Sequence, residues 1–325
     1  MTAPCRGAVA AAAQRNSYAS LLVVQVLFGL FPVAAKRVLP YLDPASLLAM
    51  RVGGAAFLLL ALHLVLVKRP IVIRTQWPFV GLLALLGVVL NMGLFMVGLQ
   101  YTTPTEAVLV ITTIPVFTYA IAVLLRRETL GLWRAVGIAL AIAGVAYLTF
   151  AGARSDPSTA RFVLLGHDLG PAHVWGDLMI MGNALSYAAF LVLAKPVLAH
   201  HDALSLTTWV FLVGAAVFIP IGLAHGLRGK LAVMPPSSTY WMLFIIIGPS
   251  VTTYVLNAIA LRHVHASTVA AFTYVQPVFT AAFAWIVLRQ PLNPAFLPAA
   301  ALVFVAVWLV VRREPKVLES QLIGE

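Results

Sequence analysis

Ten apolar stretches, each long enough to cross a lipid bilayer, make up most of this 325-residue sequence. A transmembrane helix needs about 20 mainly apolar residues. Only helices and closed barrels satisfy their backbone inside lipid, and these continuous runs lack the alternation of barrel strands. The sequence therefore predicts an all-α polytopic membrane protein with ten transmembrane helices. The predicted helices are 17–36, 44–67, 77–99, 104–125, 131–150, 174–198, 204–224, 238–261, 266–288 and 293–311.

Composition and charge narrow the function classes further. The chain is 62% hydrophobic and 10% charged, whereas soluble domains are about 45–50% apolar and about 25% charged. The net charge of +11 comes from basic residues in short turns, where orientation signals lie, so we expect no nucleic-acid partner. The single cysteine, Cys5, excludes an intrachain disulfide framework, a cysteine-based metal cluster and a CxxC redox site. We expect no cofactor and no metal.

The distribution of Lys and Arg predicts an orientation. The turns on the side of the two termini hold more of these residues than the opposite turns, strongly so in the first half and hardly in the second. Cytoplasmic turns carry the excess of positive charge. We therefore expect an integral, multi-pass protein of the plasma membrane (the inner membrane in a bacterium) with both termini in the cytoplasm.

A short motif recurs in the two halves of the chain. The residues Pro-Val-Phe-Thr at 115–118 return at 277–280, 162 positions later, and Arg127 returns as Arg289. Shared apolar composition is the alternative explanation. A repeat of five helices must enter the membrane from the opposite side, so the sequence predicts two inverted five-helix repeats, a common plan of secondary transporters. The predicted divisions are a cytoplasmic N-terminal tail 1–16, a first repeat 17–150, an extracytoplasmic linker 151–173, a second repeat 174–311 and a cytoplasmic C-terminal tail 312–325.

Several of these features together resemble one family. They are Phe28-Gly29 and Lys36 in the first helix, Arg51 in the second, the Pro115 helix that runs into Arg127-Glu128-Thr129-Leu130, and Pro277 leading to Arg289-Gln290-Pro291-Leu292. From 17 to 313 the chain resembles the drug/metabolite transporter superfamily and, within it, the ten-helix EamA-type transporters. The resemblance implies two EamA units that move small metabolites, amino acids among them, usually outward. The chain departs from the family pattern at Phe28, where Trp is frequent, and at Gln290, where Glu is expected.

Polar side chains inside the predicted helices are the candidates for a substrate cavity, because polar groups in lipid are costly unless they face the interior of the bundle. The alternative role for each is a hydrogen bond between helices. Their depth in both halves favours a shared cavity near the midplane. The candidates are Gln25, Asn91, Thr112, Thr113, Asn183, Tyr187, Thr253, Tyr254, Asn257, Thr273, Tyr274 and Gln276.

Two prolines and two charged residues complete the candidate set. Pro115 and Pro277 lack an N–H and kink their helices, either as structural kinks or as gating hinges. Arg51 is expected either to snorkel to the interface or pair with a helix C-terminal carbonyl, or to hold a substrate carboxylate. Glu106 is placed to stabilise a helix N-terminus or to carry a charge role inside the bilayer.

These observations favour a secondary transporter over the other function classes. We expect a protein that exports small metabolites, such as amino acids or related zwitterionic or aromatic compounds, by alternating access. A non-transport membrane assembly subunit is the first alternative. An enzyme acting on lipid is the second, and the sequence offers it no reactive set of side chains. The expected partners are a small-molecule substrate and the lipid bilayer; the oligomeric state, monomer or homodimer, stays open, as do substrate identity, direction and coupling.

Overall fold

The computed structural model describes residues 3–67, 77–127, 161–164, 167–290 and isolated positions within 131–147 and 294–309. Within these ranges, eight helices are long and apolar enough to cross a membrane. They are α1 (Ala3–Val38, apolar from Asn16), α2 (Pro44–Leu66), α3 (Pro78–Tyr101), α4 (Pro104–Leu124), α5 (Ala172–His200), α6 (Ala203–Ala224), α7 (Pro236–His263) and α8 (Ala266–Leu288). A short helix, Leu227–Val233, connects α6 to α7.

The apolar part of each helix begins and ends within two residues of a predicted one. The predicted helices 131–150 and 293–311 fall mostly outside the described residues. The total of ten membrane helices therefore stays a prediction. The structure adds two features for which the sequence analysis made no prediction. The chain is helical from Ala3, ahead of the first predicted membrane helix, and the segment between the two predicted repeats holds an antiparallel hairpin, β1 (Arg161–Leu164) and β2 (His167–Pro171). The apolar run at 162–165 is too short to span a membrane and therefore did not mark β1 in the sequence.

Breaks in helical geometry recur at the spacing of the sequence repeat. A π-helical segment occupies Leu85–Leu90 in α3, and a second occupies Ile247–Thr252 in α7, 162 positions later. Pro249 lies inside the second segment and cannot donate the regular backbone bond. The α4 helix is interrupted at 112–113, and α8 narrows to a 3₁₀ turn over Phe272–Val275. Both interruptions lie directly before the prolines that were expected to kink these helices.

Close helix contacts depend on glycine at a few positions. A Cβ atom on Gly98 of α3 would lie 2.7 Å from the carbonyl oxygen of Gly176 on α5, and one on Gly176 would lie 3.0 Å from the oxygen of Gly98. In α6, a Cβ on Gly222 would lie 2.3 Å from that of Ala49. These backbones therefore touch without intervening side chains, as small residues allow in membrane bundles.

The outward faces of the helices are apolar. Phe57, Leu66 and Trp285 expose 71%, 68% and 61% of their surface. Exposed large apolar side chains of this number are unusual on a soluble protein but suit a surface that lipid covers.

Two carboxylates begin helices at matched positions. Asp43 precedes α2 and Asp202 precedes α6, and each accepts a hydrogen bond from the backbone N–H of a serine three residues later. The Asp43 carboxylate also accepts from Ala45 N at 3.0 Å and from the Lys230 ammonium. Burial raises the pKa of Asp43, but the hydrogen bonds from Lys230 and Ser46 outweigh it and lower the pKa to about 2.

The Asp43 cap makes stability depend on acid pH. Because the folded pKa lies below the ordinary value of 3.8, the contribution of Asp43 is complete above about pH 4 and disappears as pH falls toward 2. We expect Asp43→Ala to cost about 1 kcal/mol near neutral pH. Thermal unfolding in detergent from pH 7 to pH 3, with the exposed Ser237→Ala as control, measures this. A difference from wild type that stays constant down to pH 3 contradicts the ionic part of the cap.

Candidate functional site

Polar side chains from most of the described membrane helices meet around one cavity inside the bundle. Its volume is about 610 Å³, its opening included. No carboxylate is present among the described residues that line it. The lining residues are Gln25, Phe28 and Phe31 of α1, Arg51 of α2, Asn91, Met92 and Phe95 of α3, Ile111 and Ile114 of α4, Asn183 and Tyr187 of α5, Tyr254 and Asn257 of α7, and Val269, Thr273 and Gln276 of α8.

Arg51 is the one charged side chain among the described lining residues. It is 3% exposed, so it does not snorkel to the interface. Its Nε donates to Ser250 Oγ at 2.9 Å, and its guanidinium carbon lies 4.0 Å from the centre of the Phe31 ring. Ser250 belongs to the π-helical segment of α7 and itself donates to Ile245 O. Among the described residues both partners of Arg51 are neutral and no carboxylate lines the cavity, so the described part of the cavity carries an uncompensated positive charge.

An amide pair joins α3 to α5 beside the cavity. Asn183 Nδ2 donates to Asn91 O at 2.6 Å, and Asn91 Nδ2 donates to Asn183 O at 3.4 Å. The Tyr254 hydroxyl donates to Gly87 O at 3.0 Å and lies 3.2 Å from Asn91 Oδ1. Ser186 Oγ donates to Leu86 O at 2.7 Å. The carbonyls of Leu86 and Gly87 belong to the π-helical segment of α3, so this distorted turn anchors side chains from two other helices.

Two amide oxygens at the cavity have no hydrogen-bond partner in the part of the chain that the structure describes. They are Gln25 Oε1 and Asn257 Oδ1, both buried. Asn257 Nδ2 is occupied, because it donates to the Tyr187 hydroxyl at 2.9 Å. A buried acceptor without a donor is unfavourable by about 1–3 kcal/mol. These two oxygens therefore can accept hydrogen bonds from a bound molecule.

Aromatic rings form much of the remaining wall. The Tyr254 ring makes edge contacts with Phe211, Phe28 and Tyr187, at centroid distances of 4.9, 6.3 and 6.4 Å. Phe31 and Phe95 lie 5.3 Å apart. The cavity thus combines one cation, several amides and an aromatic wall.

The structure brings most of the predicted cavity residues together. Those that line the cavity are Gln25, Asn91, Asn183, Tyr187, Tyr254, Asn257, Thr273 and Gln276. Gln276 Nε2 also donates to Phe28 O at 3.3 Å, which fixes α8 against α1. Whether these residues bind a substrate stays a prediction.

Four predicted cavity residues do not line it. Thr112 and Thr113 donate to the carbonyls of Leu109 and Val110 and so satisfy backbone groups at the break in α4. Thr253 donates to Pro249 O at 2.6 Å in the same way. Tyr274 is buried and does not line the cavity, and its hydroxyl has no hydrogen-bond partner among the described residues. A threonine inside a membrane helix can satisfy its hydroxyl on its own backbone, so polarity alone overestimated the cavity.

The remaining predicted residues have clear structural positions. Pro115 and Pro277 lie at the second residue of the helical segments that follow each break. Glu106 forms a capping box with Thr103 at the start of α4, with Thr103 Oγ1 to Glu106 Oε2 at 2.9 Å. Glu106 does not line the cavity, and the capping role accounts for its position. Asp177 is 8% exposed and lies inside α5, within the predicted helix 174–198.

The apolar part of the lining escaped the sequence analysis. Phe31, Phe95 and Met92 look like any other apolar residue of a membrane helix, and only the fold shows that they face inward. Phe28 drew notice only as a departure from the family pattern. The matched prolines could have pointed to Ile111 and Ile114, since both flank the break in α4.

Comparison with family models decides the family. One model, described as the EamA-like transporter family, matches residues 16–150 and again residues 174–312. The chain belongs to the EamA-like transporter family. The resemblance to the drug/metabolite transporter superfamily is thereby confirmed, and the chain is a multi-pass membrane protein of a transporter family.

Relatives with assigned names agree with this family. The chain is similar to an uncharacterized transporter of Archaeoglobus fulgidus, 29% identical over 69% of this chain and 72% of the relative. It is 26% identical to the uncharacterized transporter YetK of Bacillus subtilis, over 88% of this chain and 83% of the relative. The WAT1-related protein At3g18200 of Arabidopsis thaliana is 27% identical over 70% of this chain and 63% of its own length. A crystal structure at 18% identity has the same fold, with a TM-score of 0.65 over 93% of this chain and 96% of its own.

Proposed function

We propose that this EamA-family protein exports small zwitterionic metabolites, with amino acids of apolar or aromatic side chain as the best fit. The observation that carries the proposal is Arg51, a buried cation that faces the cavity and whose partners within the described ranges are all neutral. An arginine stays protonated in proteins, and an unpaired buried charge is unfavourable by several kcal/mol. A substrate carboxylate would compensate this charge through charge-assisted hydrogen bonds.

The other end of a zwitterion also has complementary groups. Gln25 Oε1 and Asn257 Oδ1 accept no hydrogen bond from any described residue, and an ammonium group provides three donors. The aromatic rings of Phe28, Tyr187 and Tyr254 supply apolar contact and attract a cation to their faces. These features do not suit a lipophilic cation, because Arg51 would repel it.

The movement that we infer is alternating access between two five-helix repeats, 17–150 and 174–311, in opposite orientation. In this mechanism the two halves rock around a central site and expose it to each side in turn. The matched breaks before Pro115 and Pro277 would act as hinges, since they already lack regular backbone bonds. Transport then uses binding and conformational free energy without covalent chemistry, so we propose no enzymatic activity.

Export can be measured directly. Cells that produce this chain should release a class of zwitterionic metabolites that control cells retain, as read by mass spectrometry of the medium. Asn257→Ala should lower release at least severalfold, because it removes an acceptor at the cavity and the bond to Tyr187. The exposed Ser237→Ala is the matched control. No difference for any compound, with the protein confirmed in the membrane, contradicts the proposal.

Orientation can be tested with single cysteines. In a Cys5→Ser background, Ser237→Cys places a thiol at the exposed start of α7, and Ala199→Cys places one at the exposed end of α5. With both termini cytoplasmic, an impermeant maleimide should label Ser237→Cys in intact cells and Ala199→Cys only after lysis. The reverse pattern contradicts the orientation.

A further inference from the structure

A second pocket lies away from the cavity, where the C-terminal ends of α4, α5 and α7 meet. It is open, with a volume of about 1280 Å³ including its mouth. Its described lining holds Arg127, Lys195, Arg262 and His263 and no carboxylate. Arg127, Arg262 and His263 are exposed, and Lys195 is half-buried.

Helix geometry explains how two of these cations are fixed. Pro196 inside α5 has no N–H, so the carbonyl of Val192, one turn earlier, loses its regular donor. The Arg127 guanidinium donates to this carbonyl at 2.6 Å. Arg126 adopts a left-handed conformation, with φ of 56°, which turns the chain at the end of α4 and directs Arg127 toward α5. Lys195 Nζ donates to Val264 O at 2.8 Å, at the end of α7.

The described charges of the pocket remain net positive. Each helix C-terminus carries about half a negative charge, so three ends offset only part of the two full charges of Arg127 and Arg262. One guanidinium nitrogen of Arg127 donates to Val192 O. The other N–H groups of the guanidinium are further hydrogen-bond donors. An arginine that is held in place beside an open pocket can donate two parallel hydrogen bonds to the oxygens of a bound anion.

We propose that this basic pocket binds a phosphate group, either the headgroup of an anionic phospholipid or a soluble phosphate ester. Both sources present the same oxygens to the arginines. Exposed apolar side chains such as Leu124 at the end of α4, 80% exposed, lie next to the pocket in sequence and favour the lipid. The proposal is independent of the transported substrate, because none of the pocket residues lines the cavity.

The test uses the purified full chain in phosphatidylcholine nanodiscs with and without phosphatidylglycerol. Native mass spectrometry measures lipid retention, and titration with inorganic phosphate or glycerol 3-phosphate in phosphatidylcholine alone measures soluble binding. Each basic residue near a membrane surface changes anion affinity about fivefold. Arg127→Gln with Arg262→Gln should therefore lower binding about 25-fold. The control variant Arg228→Gln with Arg289→Gln removes the same charge outside the pocket. It should change the binding affinity less than twofold.

The outcomes separate the two sources. Selective retention of phosphatidylglycerol that only the pocket variant loses supports the lipid, and saturable binding of glycerol 3-phosphate with the same dependence supports the soluble ester. If neither probe binds, or if the control variant loses as much, the pocket is not a phosphate site. Arg262→Gln alone, at an exposed position, should still lose about fivefold and keeps the test valid if the double variant does not fold.

Discussion

Replacing Arg51 with glutamine is expected to weaken binding of a carboxylate substrate by roughly 30-fold or more. Removing one partner of a buried charge pair costs about 2–5 kcal/mol, and 1.4 kcal/mol corresponds to a tenfold change in affinity. Glutamine keeps a donor near Ser250 but removes the charge that the cavity otherwise leaves uncompensated. Arg51→Lys should retain part of the affinity, because it keeps the charge and loses the planar fork.

The measurement is ligand-induced thermal stabilisation of purified protein by L-phenylalanine and by its amide, which lacks the carboxylate. Wild type should prefer the acid, and Arg51→Gln should bind both about equally. Ser250→Ala is a matched control, because it removes the Nε acceptor and leaves the charge in place. If Arg51→Gln weakens acid and amide to the same extent, Arg51 has a structural role and the carboxylate assignment is wrong.

Replacing Gly98 is expected to have the second-largest effect. A Cβ at this position would lie 2.7 Å from the backbone oxygen of Gly176 and 2.8 Å from Ile180 Cγ1. A backbone oxygen cannot rotate away as a side chain can, so α3 and α5 must separate. Overpacking of this kind costs about 1–3 kcal/mol, and a leucine should cost more.

The damage should extend to the cavity. Asn91 and Asn183 pair on the same two helices, seven residues from Gly98 and Gly176 respectively. Separation at the glycines lengthens the bond from Asn183 Nδ2 to Asn91 O, and thus substrate stabilisation should fall together with the unfolding midpoint. Gly81→Ala, on the same helix with open space around it, is the control and should change neither quantity. Wild-type stability in Gly98→Ala contradicts the close approach of the helices.

The sequence predicted the eight described membrane helices well because hydrophobic length is a strong local signal. It also located most of the polar cavity, since Gln25, Asn183 and Asn257 have no local reason to lie inside a membrane helix. Threonine gave false signals, because its hydroxyl can bond to the preceding turn. The aromatic wall and the neutral surroundings of the Arg51 guanidinium depend on contacts between helices that are far apart in sequence. The π-helical segment of α3 depends likewise on donors from other helices, namely Ser186 and Tyr254, whereas the segment of α7 contains Pro249, which has no N–H to donate.

Those π-helical segments set the rotational phase of the helices that contain them. A turn closed by bonds five residues apart holds one residue more than an α-turn, and one residue corresponds to about 100° of rotation about the helix axis. Residues before and after Leu85–Leu90 that a regular α-helix would place on one face therefore point in different directions. Removing one residue from this segment would let α3 become regular and turn Asn91 away from its partner. The same holds in α7, where the insertion sets the angle between Trp241 before it and Asn257 after it, so the inward face of each helix is fixed by a single extra residue.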